Sequence, residues 1–237
     1  MELLIRLAGE HLGIKINGLQ AFQFTAYAQL LHEWNQKYNL TAITDPDEII
    51  VKHFLDSLSC LQVIRDKNTF SLIDIGTGAG FPGIPLKIIR PDISLVLVES
   101  VGKKASFCAK VIDSLQLDNT RIIQTRAEEI GRLPDHRERY DWAVARAVAE
   151  LPVLLEYLLP LVKLNGHILA MKGKDKQSEI ISAQNAMTAL GGELYQAEKI
   201  TLPYNFGERV LIVIQKKFPT PSKYPRRIGI PAKKPLL

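Results

Sequence analysis

Phe70-Ser71-Leu72-Ile73-Asp74-Ile75-Gly76-Thr77-Gly78-Ala79-Gly80-Phe81-Pro82-Gly83 is a short apolar run that ends around a carboxylate and breaks into four glycines. The run has the composition of a buried strand. Its glycine-rich end predicts a tight loop, because a residue without Cβ tolerates positive φ and lets backbone approach a ligand closely. A helix is expected at once: Pro82 and Pro85 are placed in its first turn, where a missing N–H costs little, and Ile84, Ile88 and Ile89 supply its apolar side. Strand, glycine loop and helix in that order make the first βα unit of a nucleotide-type binding fold.

Two ligand classes are compatible with this loop. Residues 78–83 match the GxGxxG dinucleotide fingerprint, and residues 74–80 match the D-x-G-x-G-x-G loop of S-adenosylmethionine-dependent methyltransferases. Asp74 weighs toward the second, because an anion beside the glycines repels a pyrophosphate and suits a ligand carrying a sulfonium and an ammonium. A purely structural glycine turn remains the third alternative.

Outward from the loop, strand and helix signals alternate as in a doubly wound α/β domain. Strands are expected at 94–98, 121–124, 140–145, 167–171, 192–199 and 209–216, and helices at 151–162 and about 176–190. Asp74, Glu99, Glu128, Arg146 and Lys172 stand at or just past strand ends, where ligand groups collect in an open parallel sheet. Glu99, about twenty residues past the loop, is placed to accept from the hydroxyls of a ribose.

Residues 1–64 are helical in pattern. Phe24, Tyr27, Leu31, Trp34 and Tyr38 fall on one helix side and are expected in the core. Asp45, Pro46 and Glu48 have the form of an N-cap, a proline at the first position and a first-turn acid. On the next helix His53 and Asp56 lie one turn apart, close enough to hydrogen-bond, with a surface pair as the alternative.

The 237-residue chain carries a formal charge of +5, and its 46% hydrophobic content suits a globular domain of this length. Lys216, Lys217, Lys223, Arg226, Arg227, Lys233 and Lys234 follow one another with no acid among them, so the rest of the chain carries −2 once these seven are taken from +5. A basic tail on a mildly acidic body points to a local polyanionic partner such as RNA, or to a solvated end. Cys60 and Cys108 have no His or Cys at metal-ligand spacing and are expected as buried thiols in a reducing compartment. No membrane span is expected.

The chain also resembles a known family in Asn39-Leu40-Thr41, Lys52-His53-Phe54-Leu55-Asp56-Ser57, the 74–85 loop, Glu99 with Lys103-Lys104, Arg126-Ala127-Glu128, Ala145-Arg146-Ala147, Met171-Lys172-Gly173-Lys174 and Tyr224-Pro225-Arg226-Arg227. These are similar to the small-subunit rRNA guanine-N7 methyltransferase G family, also called glucose-inhibited division protein B, from about residue 20 onward. The resemblance implies a Rossmann-like class I S-adenosylmethionine-dependent methyltransferase: a mostly parallel seven-stranded sheet with helices on both faces. With the helical, alternating and basic patterns above, the chain is expected to divide into a helical extension packed on the core (1–64), a methyltransferase domain (65–217) and a basic, proline-rich tail (218–237).

The resemblance further implies S-adenosyl-L-methionine as cofactor, with Gly76 and Phe81 lining the pocket, Ala127 and Glu128 at the adenine edge, Glu99 on the ribose, Arg146 also at the cofactor, and Asp74 and Gly78 in the loop that binds it. The implied substrate is N7 of guanine 527 in 16S rRNA, free or in the small-subunit particle, in the cytoplasm, with neither membrane nor DNA as partner. His53, Asp56, Lys172, Arg226 and Arg227 are the candidate RNA contacts. Guanine N7 has an in-plane lone pair and no proton to lose, so no catalytic base is expected, and Arg146 is a candidate orienter of the guanine.

Overall fold

The computed structural model describes residues 1–65, 68–173 and 177–237. Lys174 of the resemblance and the expected helix start at residue 176 lie outside the described residues.

Among the described residues seven strands form one sheet: β1 (Ser71–Ile75), β2 (Ser94–Glu99), β3 (Thr120–Gln124), β4 (Tyr140–Arg146), β5 (Val162–Gly173), β6 (Gly192–Thr201) and β7 (Glu208–Lys216), in the order β3-β2-β1-β4-β5-β7-β6. The first five run parallel, and β7 pairs antiparallel with both β5 and β6. Strand order reverses between β1 and β4, the point at which a doubly wound sheet opens a crevice beyond its strand ends.

Side-chain alternation splits the core in two. Leu72, Leu95, Leu97, Leu211 and Val213 face one apolar layer, while Ile73, Val96, Val98, Val210 and Ile212 face the other. The first layer is covered by α1 (Glu2–Leu12), α2 (Gly18–Tyr38), the helical run beginning at α3 (Pro46–Ile49), α5 (Gly83–Ile89) and α6 (Gly102–Ser114). The second is covered mainly by α8 (Leu151–Leu158), α9 (Gln177–Ser182), α10 (Gln184–Leu190) and the C-terminal segment. The short α7 (Ala127–Ile130) follows β3.

The helical stripe of α2 is buried at Phe24, Tyr27 and Leu31, but Trp34 is half-buried and Tyr38 is 41% exposed. Trp34 packs on Phe107 of α6 (ring centroids 5.6 Å) and Tyr38 in turn on Trp34 (5.3 Å), so the stripe reaches the rim of the core at its C-terminal end. Asp45 caps α3 as its sequence requires, accepting from the N–H groups of Asp47 and Glu48. α3 continues through a π-helical turn (Ile50–Leu55) into α4 (Asp56–Leu58). The helix after the glycine loop begins at Gly83, which leaves Pro82 outside as its cap residue rather than in the first turn. α8 is shorter than expected, because Val162 already belongs to β5.

The tail is not a solvated appendage. Tyr224 is buried, and Arg226 grips the fully buried Glu156 with three bonds from its guanidinium (2.6–3.0 Å) and one from its backbone N–H (2.7 Å). Arg137 donates to the carbonyls of Thr220 and Tyr224. Lys216 is buried against Glu138 and the Leu159 carbonyl. Two of the seven cations are thus neutralised inside the body, while Lys217, Lys223, Arg227, Lys233 and Lys234 remain exposed. The segment closes with α11 (Ile230–Lys233).

Candidate functional site

At the switch point the glycine loop is held from below. Asp74 is fully buried, and its Oδ2 accepts from the Thr77 hydroxyl (2.6 Å) and the Gly83 N–H (2.9 Å). Burial pushes its carboxyl up to about 6, against the pull of those two donors. Its Oδ1 has no hydrogen-bond partner. The expectation that Asp74 faces a cationic ligand is therefore corrected: the carboxylate lies beneath the loop and braces it. Glu99 closes the loop from the side, accepting from Gly78 N–H (2.9 Å) and Val101 N–H (2.8 Å). Each of its oxygens keeps a second lone pair for a hydroxyl donor.

Gly76 (φ +67°) is obligatory, because a Cβ there would stand 2.7 Å from Val148 Cγ2. At Gly78 (φ +62°) a Cβ would meet nothing within 4 Å, so the loop backbone opens onto free space. Beside the loop lies a cleft of about 210 Å³ lined by Ile75, Gly76, Val98, Ser100, residues 125–128, Val148, Ala149, Tyr157 and Ala232. Gly76, Ala127 and Glu128 line it as expected positions. Phe81 does not: it is buried between the Tyr27 ring (5.3 Å), the His53 ring (4.4 Å, stacked nearly parallel) and the Arg146 guanidinium (5.1 Å).

A second cleft, of about 390 Å³, opens on the other side of the β4 end and is lined by Ile43, Lys52, His53, Asp56, Arg146, Ala147, Met171, Lys172, Gly173 and Arg209. Its centre is Asp56, whose carboxylate accepts from Arg146 Nη1 (2.9 Å) and Arg209 Nε (3.0 Å). Arg146 also donates to the Lys52 carbonyl and contacts His53 Nδ1 at 3.2 Å. An arginine only donates, so Nδ1 accepts and the ring proton sits on Nε2, which gives it to Thr41 Oγ1 (2.9 Å). Burial, aided by the Arg146 charge, pushes the imidazole down to about 3 and keeps it neutral.

The expected His53–Asp56 bond is thus replaced by a shared partner, and neither residue is a surface group. A guanidinium offers both of them a charged donor that they cannot offer each other. Two further candidates are corrected. Lys172 Nζ is taken up by Glu179 and the Ala149 carbonyl, and Arg226 by Glu156, so neither ammonium nor guanidinium is held out toward a phosphate. Arg227 is exposed. Sequence pattern does not single out Arg209. The only signal for it is register: as the second residue of β7 it pairs with Gly173 and so lands at the end of β5.

The two clefts meet at one short stretch, with Arg146 and Ala147 in the second and Val148 and Ala149 in the first. Among the described residues no group of three or more His, Cys, Asp or Glu side chains could hold a metal ion, and no helix is long and apolar enough to cross a membrane.

The sheet order and the braced glycine loop define a class I S-adenosylmethionine-dependent methyltransferase fold. Solved structures agree: the YcgJ protein from Bacillus subtilis superposes with a TM-score of 0.54 (14% identity, 70% of this chain, 100% of that one), and an MtNAS mutant in complex with S-adenosylmethionine with 0.55 (18%, 84% and 77%). Residues 20–205 match the family model described as GidB, rRNA small subunit methyltransferase G, and the chain belongs to that family. It is 47% identical to the ribosomal RNA small subunit methyltransferase G of Alkaliphilus metalliredigens over 99% of its length and 98% of the relative's. To the protein of the same name from Acetivibrio thermocellus it is 49% identical, over 94% and 92%. It is a methyltransferase.

Proposed function

We propose that this enzyme transfers a methyl group from S-adenosylmethionine to N7 of guanine 527 in 16S rRNA, with the glycine-loop cleft holding the cofactor and the cation-lined cleft holding the RNA. The observation that carries this is the adjacency of the two clefts across residues 146–149, which puts a nucleoside-sized space and a cation-lined space side by side. The residues present fit the cofactor: Gly78 backbone opens onto free space, Glu99 retains acceptor capacity for a ribose, and Glu128 offers a carboxylate in the cleft wall. When bound, S-adenosylmethionine would supply an electrophilic methyl on its sulfonium.

The chain's own task is alignment. N7 of guanine carries no proton, so no side chain has to act as a base. Arg146 is fixed by Asp56, the Lys52 carbonyl and His53, and its place at the junction suits a donor to guanine O6. Lys52, at the rim of the same cleft, suits a phosphate, as does Arg209 through the Nη2 group that neither Asp56 nor the Glu208 carbonyl takes up, and Arg227, Lys233 and Lys234 add exposed positive charge elsewhere. Membership of this family supports a small-subunit rRNA substrate; the nucleotide and the N7 atom rest on the sequence resemblance. Mapping N7-methylguanine in 16S rRNA from cells with and without this protein tests the proposal. The mark at position 527 should vanish without it, and persistence of the mark would refute the assignment.

A further inference from the structure

The C-terminal segment ends against the glycine-loop cleft. Gly229 N–H donates to Glu128 Oε1 (2.9 Å), the Tyr157 hydroxyl lies 3.4 Å from the same oxygen, and Ala232 forms part of the cleft wall. Burial and the neighbouring Glu128 push the Tyr157 hydroxyl up to about 12, so it stays protonated and able to donate. With Oε1 held by two donors, Glu128 cannot rotate freely, and Oε2 is the acceptor left over. An oriented acceptor in a nucleoside cleft favours a base that presents an amine over one that presents a carbonyl oxygen.

We propose that residues 228–237 are the outer wall of the cofactor site and act as positioning residues for Glu128, setting its selectivity for the adenine amine. This rests on the cleft being the S-adenosylmethionine site. The anchor that holds the segment in place, Arg226 on Glu156, lies upstream of it, so the chain can be shortened after Arg227 without loss of that anchor.

The test is calorimetric titration of the full chain and of the chain ending at Arg227 with S-adenosylhomocysteine and with its deaminated analogue, S-inosylhomocysteine, each protein checked by thermal melt. The full chain should prefer the adenosyl compound. Removing the segment should weaken adenosyl binding by roughly tenfold or more while changing inosyl binding less, so that the preference narrows. A folded truncated chain with unchanged affinity and unchanged preference overturns the proposal. A full chain that binds neither compound instead overturns the assignment of the cleft on which the proposal rests. Should the truncated chain fail to melt cooperatively, Ala232→Phe in the full chain decides: the larger side chain should weaken adenosyl binding by about tenfold, and unchanged binding overturns the wall.

Discussion

The two clefts on either side of the β4 end are built on opposite plans. The glycine-loop cleft is built around the backbone of one loop contiguous in sequence, braced by two carboxylates that each accept two N–H or O–H donors within reach of the loop, with walls supplied by the strand ends beside it. The cation-lined cleft is made of side chains brought together from positions 41, 53, 56, 146 and 209, and its order depends on one carboxylate shared by two arginines. A site of the first kind tolerates loss of a side chain but not gain of one. A site of the second kind has the reverse sensitivity.

The largest expected effect follows from the second plan. Asp56→Ala leaves two guanidiniums in a half-buried cleft without their common acceptor, and should cost about 3–5 kcal/mol of stability, with loss of methyl transfer. Chemical denaturation reads the first and a methylation assay the second; a variant as stable as the parent would mean the arginines are organised by something else.

The next effect contrasts the two regions by their protons. His53 is held at about 3 against about 6.5 when unfolded, so between those values the unfolded chain takes up a proton that the native one refuses, and stability falls as pH falls. Asp74 is held at about 6 against about 3.8, so the native state keeps a proton that the unfolded one releases, and stability falls as pH rises through that window. Each slope is at most about 1.4 kcal/mol per pH unit, and between about pH 4 and 6 they oppose each other. Relative to the parent, His53→Gln should therefore gain stability on acidification over that range and Asp74→Asn should lose it. Parallel shifts in both variants would contradict a neutral His53 and a proton-retaining Asp74.

A smaller effect belongs to the rim. Lys52 pairs with Glu48 one helical turn away, both half-buried, and lies over the Phe206 ring at 4.7 Å, so Lys52→Ala should change stability by only about 1 kcal/mol. If Lys52 meets a phosphate, the same change should make the salt dependence of RNA binding shallower by about 0.7 in log–log slope, read by titration at several salt concentrations. An unchanged slope would remove Lys52 from the RNA surface.

The same contrast explains what was legible in the sequence. The βα unit, Glu99, Ala127 and Glu128 are local features whose placement follows from strand ends, and the structure puts them around one cleft or its loop. Asp74 was legible as a loop residue but not in its direction, since which way a strand-end carboxylate turns depends on the donors at Thr77 and Gly83. The partners of Arg146, Lys172 and Arg226 lie 90, 7 and 70 residues away, and periodicity cannot pair them. Nor could charge counting see that the tail folds back: seven cations in a row read alike until buried Glu156 and the half-buried Glu138 take two of them.

The most direct test of the central claim, that one cleft serves the cofactor and the other the RNA, is a double dissociation measured as two affinities on two variants. Gly76→Val introduces a side chain where a Cβ alone would come within 2.7 Å of Val148, and should abolish S-adenosylhomocysteine binding while leaving affinity for a 16S rRNA fragment intact. Arg209→Ala should weaken the RNA affinity and leave the cofactor affinity within about twofold. Folded variants in which each substitution damages the other's ligand, or in which both lose both, would contradict the division of the site.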